Sequence, residues 1–165
     1  MAPLSQATEQ ERIREILTMV KDPEIPVLSI QDMGILQSVQ VTAGNAVQVS
    51  IIPTYSGCPA MDVIREEIKT VLLLHGYGDV CVKTILSPAW SSDLITAHGR
   101  RKLQEFGIAP PAGKSSDQTG EGPDVACPYC QSTDTRLVSQ FGSTACKALY
   151  KCNNCLEPFD YFKCV

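Results

Sequence analysis

The stretch IPTYSGCPAMD, residues 52–62, decides how the first two-thirds of this 165-residue chain is read. Before it, Val47, Val49 and Ile51 alternate with Gln48 and Ser50, the pattern of a half-buried strand. After it, Ile64, Ile68, Val71 and Leu72 recur at helical spacing, so a helix follows. Gly57 permits a sharp turn, and Pro59 suits the first helical position, where a missing N–H costs nothing. Cys58 is thereby delivered to a helix N-terminus, where unpaired N–H groups and the positive end of the helix dipole favour a thiolate. The other reading of Cys58 is a small buried hydrophobe, the usual fate of a free cysteine. The residues alone leave both open.

Working outward, Ile13, Ile16, Leu17 and Val20 form an apolar stripe that predicts an amphipathic helix over Glu9–Lys21. Pro23 and Pro26 hold the following Asp22-Pro-Glu-Ile-Pro26 segment extended. Asp22 and Glu24 are candidate ligands or acid/base groups beside Cys58, although solvated loop carboxylates are the commoner outcome. Strands are expected over Ile35–Thr42 and Ala46–Ile52, joined as a hairpin through Ala43-Gly44-Asn45. The helix after Cys58 should run from Pro59 to His75, with Gly76 as a left-handed cap and His75 as a capping residue. A third strand is expected over Val80–Leu86, with Cys81 packed, and Trp90 should anchor the core. Thr96 can cap a last helix, Ala97–Phe106, closed by Gly107. The result is an α+β fold, a small mixed sheet with helices packed on it.

Six of the eight cysteines crowd into the tail, leaving Cys58 and Cys81 alone in the first 110 residues. That asymmetry divides the chain into an α+β domain at 1–111, a Gly/Ser/Asp-rich flexible linker at 112–124, and a small module at 125–165. In the module, Cys127-Pro-Tyr-Cys130 and Cys152-Asn-Asn-Cys155 are separated by residues 131–151. Two such knuckles complete a tetrahedral thiolate site, and the gap lies just past the usual zinc-ribbon window of about 15–20 residues. The hairpin Thr135–Gln140 with Lys147–Lys151 accounts for it. With four protein ligands and no open position, the zinc is structural: it folds the module and catalyses nothing. Tyr129, Phe141, Tyr150, Phe159, Tyr161 and Phe162 are the expected core of the ribbon. Cys146 and Cys164 are surplus to one tetrahedron; they are packed thiols, alternative ligands, or, with Cys58, part of a transient iron–sulfur site.

A net charge of −4 argues against a sequence-independent nucleic-acid binder. No apolar run approaches the ~18 residues needed to span a membrane. The N-terminus lacks a secretory pattern, so a cytoplasmic protein is expected, and in that reducing compartment the cysteines point to metal or redox chemistry rather than disulfides. Two histidines, His75 and His98, are too few for a bundle-type di-iron site.

The segments DPEIPVLSIQDMGIL (22–36), PTYSGCPAMD (53–62), PAW (88–90) and LQEFGIAPP (103–111) resemble the SufT-like domain of iron–sulfur assembly factors. The tail FGSTACKALYKCNNCLEPFDYFKC (141–164), with CPYC at 127–130, is similar to the D subunits of bacterial ring-1,2-phenylacetyl-CoA epoxidases, from phenylacetate catabolism. The resemblance implies that Cys58 is the key functional residue, with the acidic Asp22-Pro-Glu24 segment near it. It further implies a non-catalytic accessory protein whose partners are the other epoxidase subunits. Foremost among these is the reductase, which carries a [2Fe–2S] cluster and flavin and whose cluster it would help to mature. The alternative is a structural accessory protein bridging oxygenase and reductase, with no role in metal transfer.

Overall fold

A computed structural model describes residues 6–42, 44–112 and 124–163. The chain forms two compact units, residues 1–90 and 91–165, and each folds around its own sheet.

In the first unit, helix α1 (Gln6–Ile16) continues into a short 3-10 turn, Leu17–Met19. Strand β1 (Leu36–Val41) pairs antiparallel with β2 (Val47–Ile51), and Gly44 and Asn45 in their connection both take positive φ, at 81° and 66°. That backbone suits a tight hairpin and favours glycine and asparagine. Helix α2 (Ala60–Leu74) then carries the chain across the sheet, so that β3 (Val80–Thr84) lies parallel to β2 in the order β1-β2-β3. Parallel neighbours need such a crossover, which explains why strand, Cys58 turn and helix come in this order. Ile64, Ile68 and Leu72 of α2 are fully buried, as are Ile13 and Leu17 of the first helical stretch and Val49 and Ile51 of β2. Each such side chain contributes about 1.5–3 kcal/mol.

Three details of this unit follow the sequence reading. Gly76 takes φ +91°, and the His75 ring bonds the Val71 carbonyl through Nδ1 at 2.8 Å. Trp90 is buried, and its Nε1 donates to the Met33 carbonyl at 2.8 Å. One detail does not follow: Cys81 is exposed, on the edge strand β3 of this sheet.

The second unit begins with a 3-10 turn, Ser92–Leu94, and helix α3 (Ala97–Glu105). Thr96 caps α3 by accepting from the Gly99 N–H at 2.9 Å, and Gly107 ends it at φ +84°. A two-residue strand, β4 (Ile108–Ala109), then joins β5 (Thr135–Ser139), β6 (Lys147–Cys152) and β7 (Pro158–Phe162) in the sheet order β4-β7-β6-β5. The sequence pattern groups α3 and the residues up to 111 with the first domain. In the structure they fold with the tail, because Ile108 and Ala109 ladder onto Asp160 and Tyr161. The expected linker falls almost wholly outside the described residues, as does Ala43 of the hairpin.

Ala109, Val125, Cys127, Ala148, Tyr150, Cys152, Phe159 and Tyr161 make one buried cluster. Tyr150 packs edge-on to Tyr161 with ring centroids 5.4 Å apart. Phe162 is buried as well, but Tyr129 and Phe141 lie more than half exposed and are not core residues. Both lie outside the strands, the Tyr129 ring close to Gly107 and the Phe141 ring under the Lys163 ammonium, 4.7 Å from its centroid.

Candidate metal centre and the Cys58 turn

The two cysteine knuckles are built alike. In each, the first cysteine's N–H donates to a carbonyl five residues on, Cys127 to Ser132 at 2.9 Å and Cys152 to Glu157 at 3.0 Å. In each, the residue after the second cysteine swings into the left-handed region, Gln131 at φ 63° and Leu156 at φ 66°. These turns aim both sulfurs of a knuckle the same way. The first knuckle precedes β5 and the second opens on the last residue of β6, so the antiparallel pairing of Thr135 with Cys152 sets them side by side.

The four Sγ atoms lie within 4.8 Å of one another, with Cys127 to Cys155 at 3.7 Å and Cys130 to Cys152 at 3.6 Å. A regular tetrahedron with Zn–S bonds of about 2.3 Å has S···S edges of about 3.8 Å. The sulfur cage therefore fits a single zinc ion. Among the described residues this is the only group of three or more His, Cys, Asp or Glu side chains close enough to hold a metal.

The electrostatics support the same conclusion. Backbone hydrogen bonding at Ser132 and the Asn154 side-chain amide hold the Cys130 thiol down at about 6. Cys155 is pushed up to about 12: hydrogen bonding at the Glu157 backbone lowers it, but desolvation and the neighbouring Cys152, Cys127 and Cys130 outweigh that. The two shifts oppose each other because thiols this close cannot all carry charge at once. A divalent cation removes that conflict and deprotonates the set.

Cys58 sits where the reading of residues 52–62 places it, just ahead of α2 and half-buried. Its N–H donates to the Tyr55 carbonyl at 3.2 Å, and its own carbonyl accepts from Met61 at 3.3 Å, while Gly57 makes the turn at φ +79°. No side chain would be met by a Cβ on Gly57, so backbone conformation rather than crowding favours glycine there.

Asp22 is not a solvated carboxylate. It is buried, and its Oδ1 accepts from the Glu24 and Ile25 N–H groups at 2.8 and 2.9 Å. It staples the proline-bracketed loop by hydrogen-bonding its own backbone two and three residues on. Glu24 is partly exposed on the same loop. Cys58, Asp22 and Glu24 do not converge into a three-ligand set. Cys146 is buried, with Thr144 Oγ1 3.1 Å from its sulfur, and it stands apart from the four-sulfur cage. Cys164 lies outside the described residues.

Comparison with known proteins fits both halves of this picture. The PaaD zinc beta ribbon domain matches residues 111–163, and the iron-sulfur cluster assembly protein family matches residues 10–84. A protein of Escherichia coli (strain K12) named as the D subunit of 1,2-phenylacetyl-CoA epoxidase is 47% identical over 150 residues, covering 91% of this chain and 90% of the relative. The chain belongs to the phenylacetyl-CoA epoxidase D-subunit family. An Fe-S protein maturation auxiliary factor of Porphyromonas gingivalis is 33% identical over 97 residues, covering 58% of this chain and 90% of the relative. A crystal structure of a domain of unknown function, DUF59, from Bacillus anthracis shares the fold at a TM-score of 0.57 and 24% identity, covering 60% of this chain and 94% of that one. This chain thus joins an iron–sulfur assembly-type α+β unit to a four-cysteine zinc ribbon. No described helix of this member is long and apolar enough to cross a membrane.

β7 and β4 are the framework that sequence reasoning missed. Phe159 and Tyr161 alternate with Pro158 and Asp160, a strand signal for β7 that was available. Two residues of β4 carry no such signal.

Proposed function

We propose that this chain is an accessory component of the phenylacetyl-CoA epoxidase system that helps to mature the iron–sulfur centre of its reductase, with Cys58 as the thiol that handles the cargo. The observation that carries the reading is the iron-sulfur cluster assembly match over residues 10–84, within which Cys58 stands half-open to solvent on an ordered strand-to-helix turn. A thiolate there supplies one soft ligand to iron or to a cluster in transit, and the client or a small thiol supplies the rest. The four-cysteine ribbon holds structural zinc and serves as the docking module, and the work takes place in the cytoplasm, where thiols stay reduced.

Exposed apolar side chains on the ribbon, Phe141 and Leu137 among them, favour a second reading. In it the chain is a permanent bridge between oxygenase and reductase and passes no metal. Iron, acid-labile sulfide and zinc per chain, measured on anaerobically purified protein beside Cys58→Ala, separate the two. The maturation reading expects unchanged zinc, with substoichiometric iron and sulfide that vanish in the variant. Iron and sulfide that are the same in both proteins would remove Cys58 from the chemistry.

A further inference from the structure

The core of the second unit runs without a break from the sulfur cage to the segment ahead of it. Cys127 and Cys152 are fully buried in the same cluster as Ala109 of β4, and Ala112 packs against that cluster. β4 is held by β7, which is held in turn by β6, the strand that ends in Cys152. The Tyr161 hydroxyl accepts from the Ala112 N–H at 3.3 Å. Tyr129, inside the first knuckle, lies over Gly107, so closely that a Cβ there would sit 2.7 Å from the ring hydroxyl. Beyond β4, Arg100 of α3 donates to the carbonyls of Pro111 and Ser92, at 2.9 and 2.8 Å. Together these links tie the sulfur cage to β4 and the residues after it, and tie those residues to α3.

We propose that metal binding by the four cysteines orders β4 and α3 as well as the ribbon, so that residues 97–112 fold and loosen with the metal. A two-residue strand has no stability of its own, and a nine-residue helix is marginal in water. Both depend on the sheet that the metal holds together. Because coupling between two events is reciprocal, the segment in turn steadies the metal. The segment LQEFGIAPP (103–111) is thereby placed under control of the ribbon's metal state.

The test is hydrogen–deuterium exchange on the full zinc-loaded chain during titration with a chelator. Protection of peptides covering 97–112 should fall at the same chelator concentration as that of 147–162, while peptides covering 36–84 stay protected. Retained protection of 97–112 after zinc has left would overturn the proposal, and so would simultaneous loss over 36–84, which would mean global unfolding. A second measurement does not depend on removing metal. Arg100→Met removes the bonds from α3 to the Pro111 and Ser92 carbonyls and alters neither knuckle. It should leave one zinc bound per chain at saturation, reduce protection of 97–112, and weaken zinc affinity, read by competition with a chromogenic chelator, on the order of five-fold, the low end of ordinary coupling. Wild-type affinity with unchanged protection would count against it.

Discussion

Asp22→Ala should destabilise the first unit far more than a surface carboxylate deletion would. The Asp22 Oδ1 accepts from two N–H groups, of which that of Ile25 is buried and that of Glu24 is half-buried. Leaving a buried donor unsatisfied costs about 1–3 kcal/mol, and the half-buried one roughly half of that, giving a total of about 1.5–4.5 kcal/mol. A 90-residue unit has on the order of 5–13 kcal/mol to lose. With a urea m-value of about 1–1.5 kcal/mol per molar, the midpoint should fall by roughly 2 M. Trp90 is the chain's single tryptophan and is buried in this unit, so its fluorescence follows the unit's unfolding without interference from the ribbon. Asp22→Asn keeps an acceptor at the Oδ1 position and forfeits the charge assistance to these two bonds, so the staple itself should lose about 1 kcal/mol. An Ala variant within about 0.5 kcal/mol of wild type would refute the staple, as would an Asn variant as damaged as Ala. A stable Asn variant that no longer handles iron would make Asp22 a ligand and not only a staple.

Three further outcomes are expected. Cys152→Ser removes a fully buried ligand, so zinc content should fall with β-structure in the ribbon while Trp90 fluorescence keeps its native signal; retained zinc would refute the four-sulfur assignment. Tyr77 is raised to about 12 by burial and then by its hydrogen bond to Glu9, so the protonated phenol is favoured in the folded state. Its contribution is present in full below the ordinary value of about 10 and is lost as pH rises from there to about 12. Burial raises Tyr150 as well, so an ultraviolet titration should show late phenols of which the Tyr77 component disappears in Tyr77→Phe, and five tyrosines titrating together would contradict this. Thr96→Ala deletes the α3 cap and should cost about 1 kcal/mol, measured as faster amide exchange over 97–100.

Much of this architecture is written locally in the chain. The alternation Val47, Val49, Ile51, the glycine before Cys58 and the period of Ile64, Ile68 and Leu72 are each properties of neighbouring residues, and they specify strand, turn and helix in order. The paired knuckles are equally local, which is why the metal site can be read from spacing. Long-range pairing leaves fainter traces. Nothing within Ile108-Ala109 says that it will ladder onto a strand fifty residues away, and the composition shift at residue 112 looks like a boundary although the fold continues across it. Cys81 looks like packing because its neighbours alternate, yet burial depends on what covers an edge strand, which no local pattern encodes. Asp22 looks like a loop acid because sequence shows the carboxylate but not the two N–H groups folded around it.

Whether Cys58 passes iron–sulfur cargo to the reductase is decided by watching the transfer itself. Anaerobically reconstituted wild-type protein and Cys58→Ala, both with their zinc in place, would be mixed with cluster-free reductase, and the growth of the reductase's cluster absorption followed along with its electron-transfer activity. The wild-type chain should restore both, and the variant, folded and zinc-loaded, should restore neither. Equal restoration by the two proteins would contradict a role for Cys58 in transfer and leave the chain a structural partner of the epoxidase.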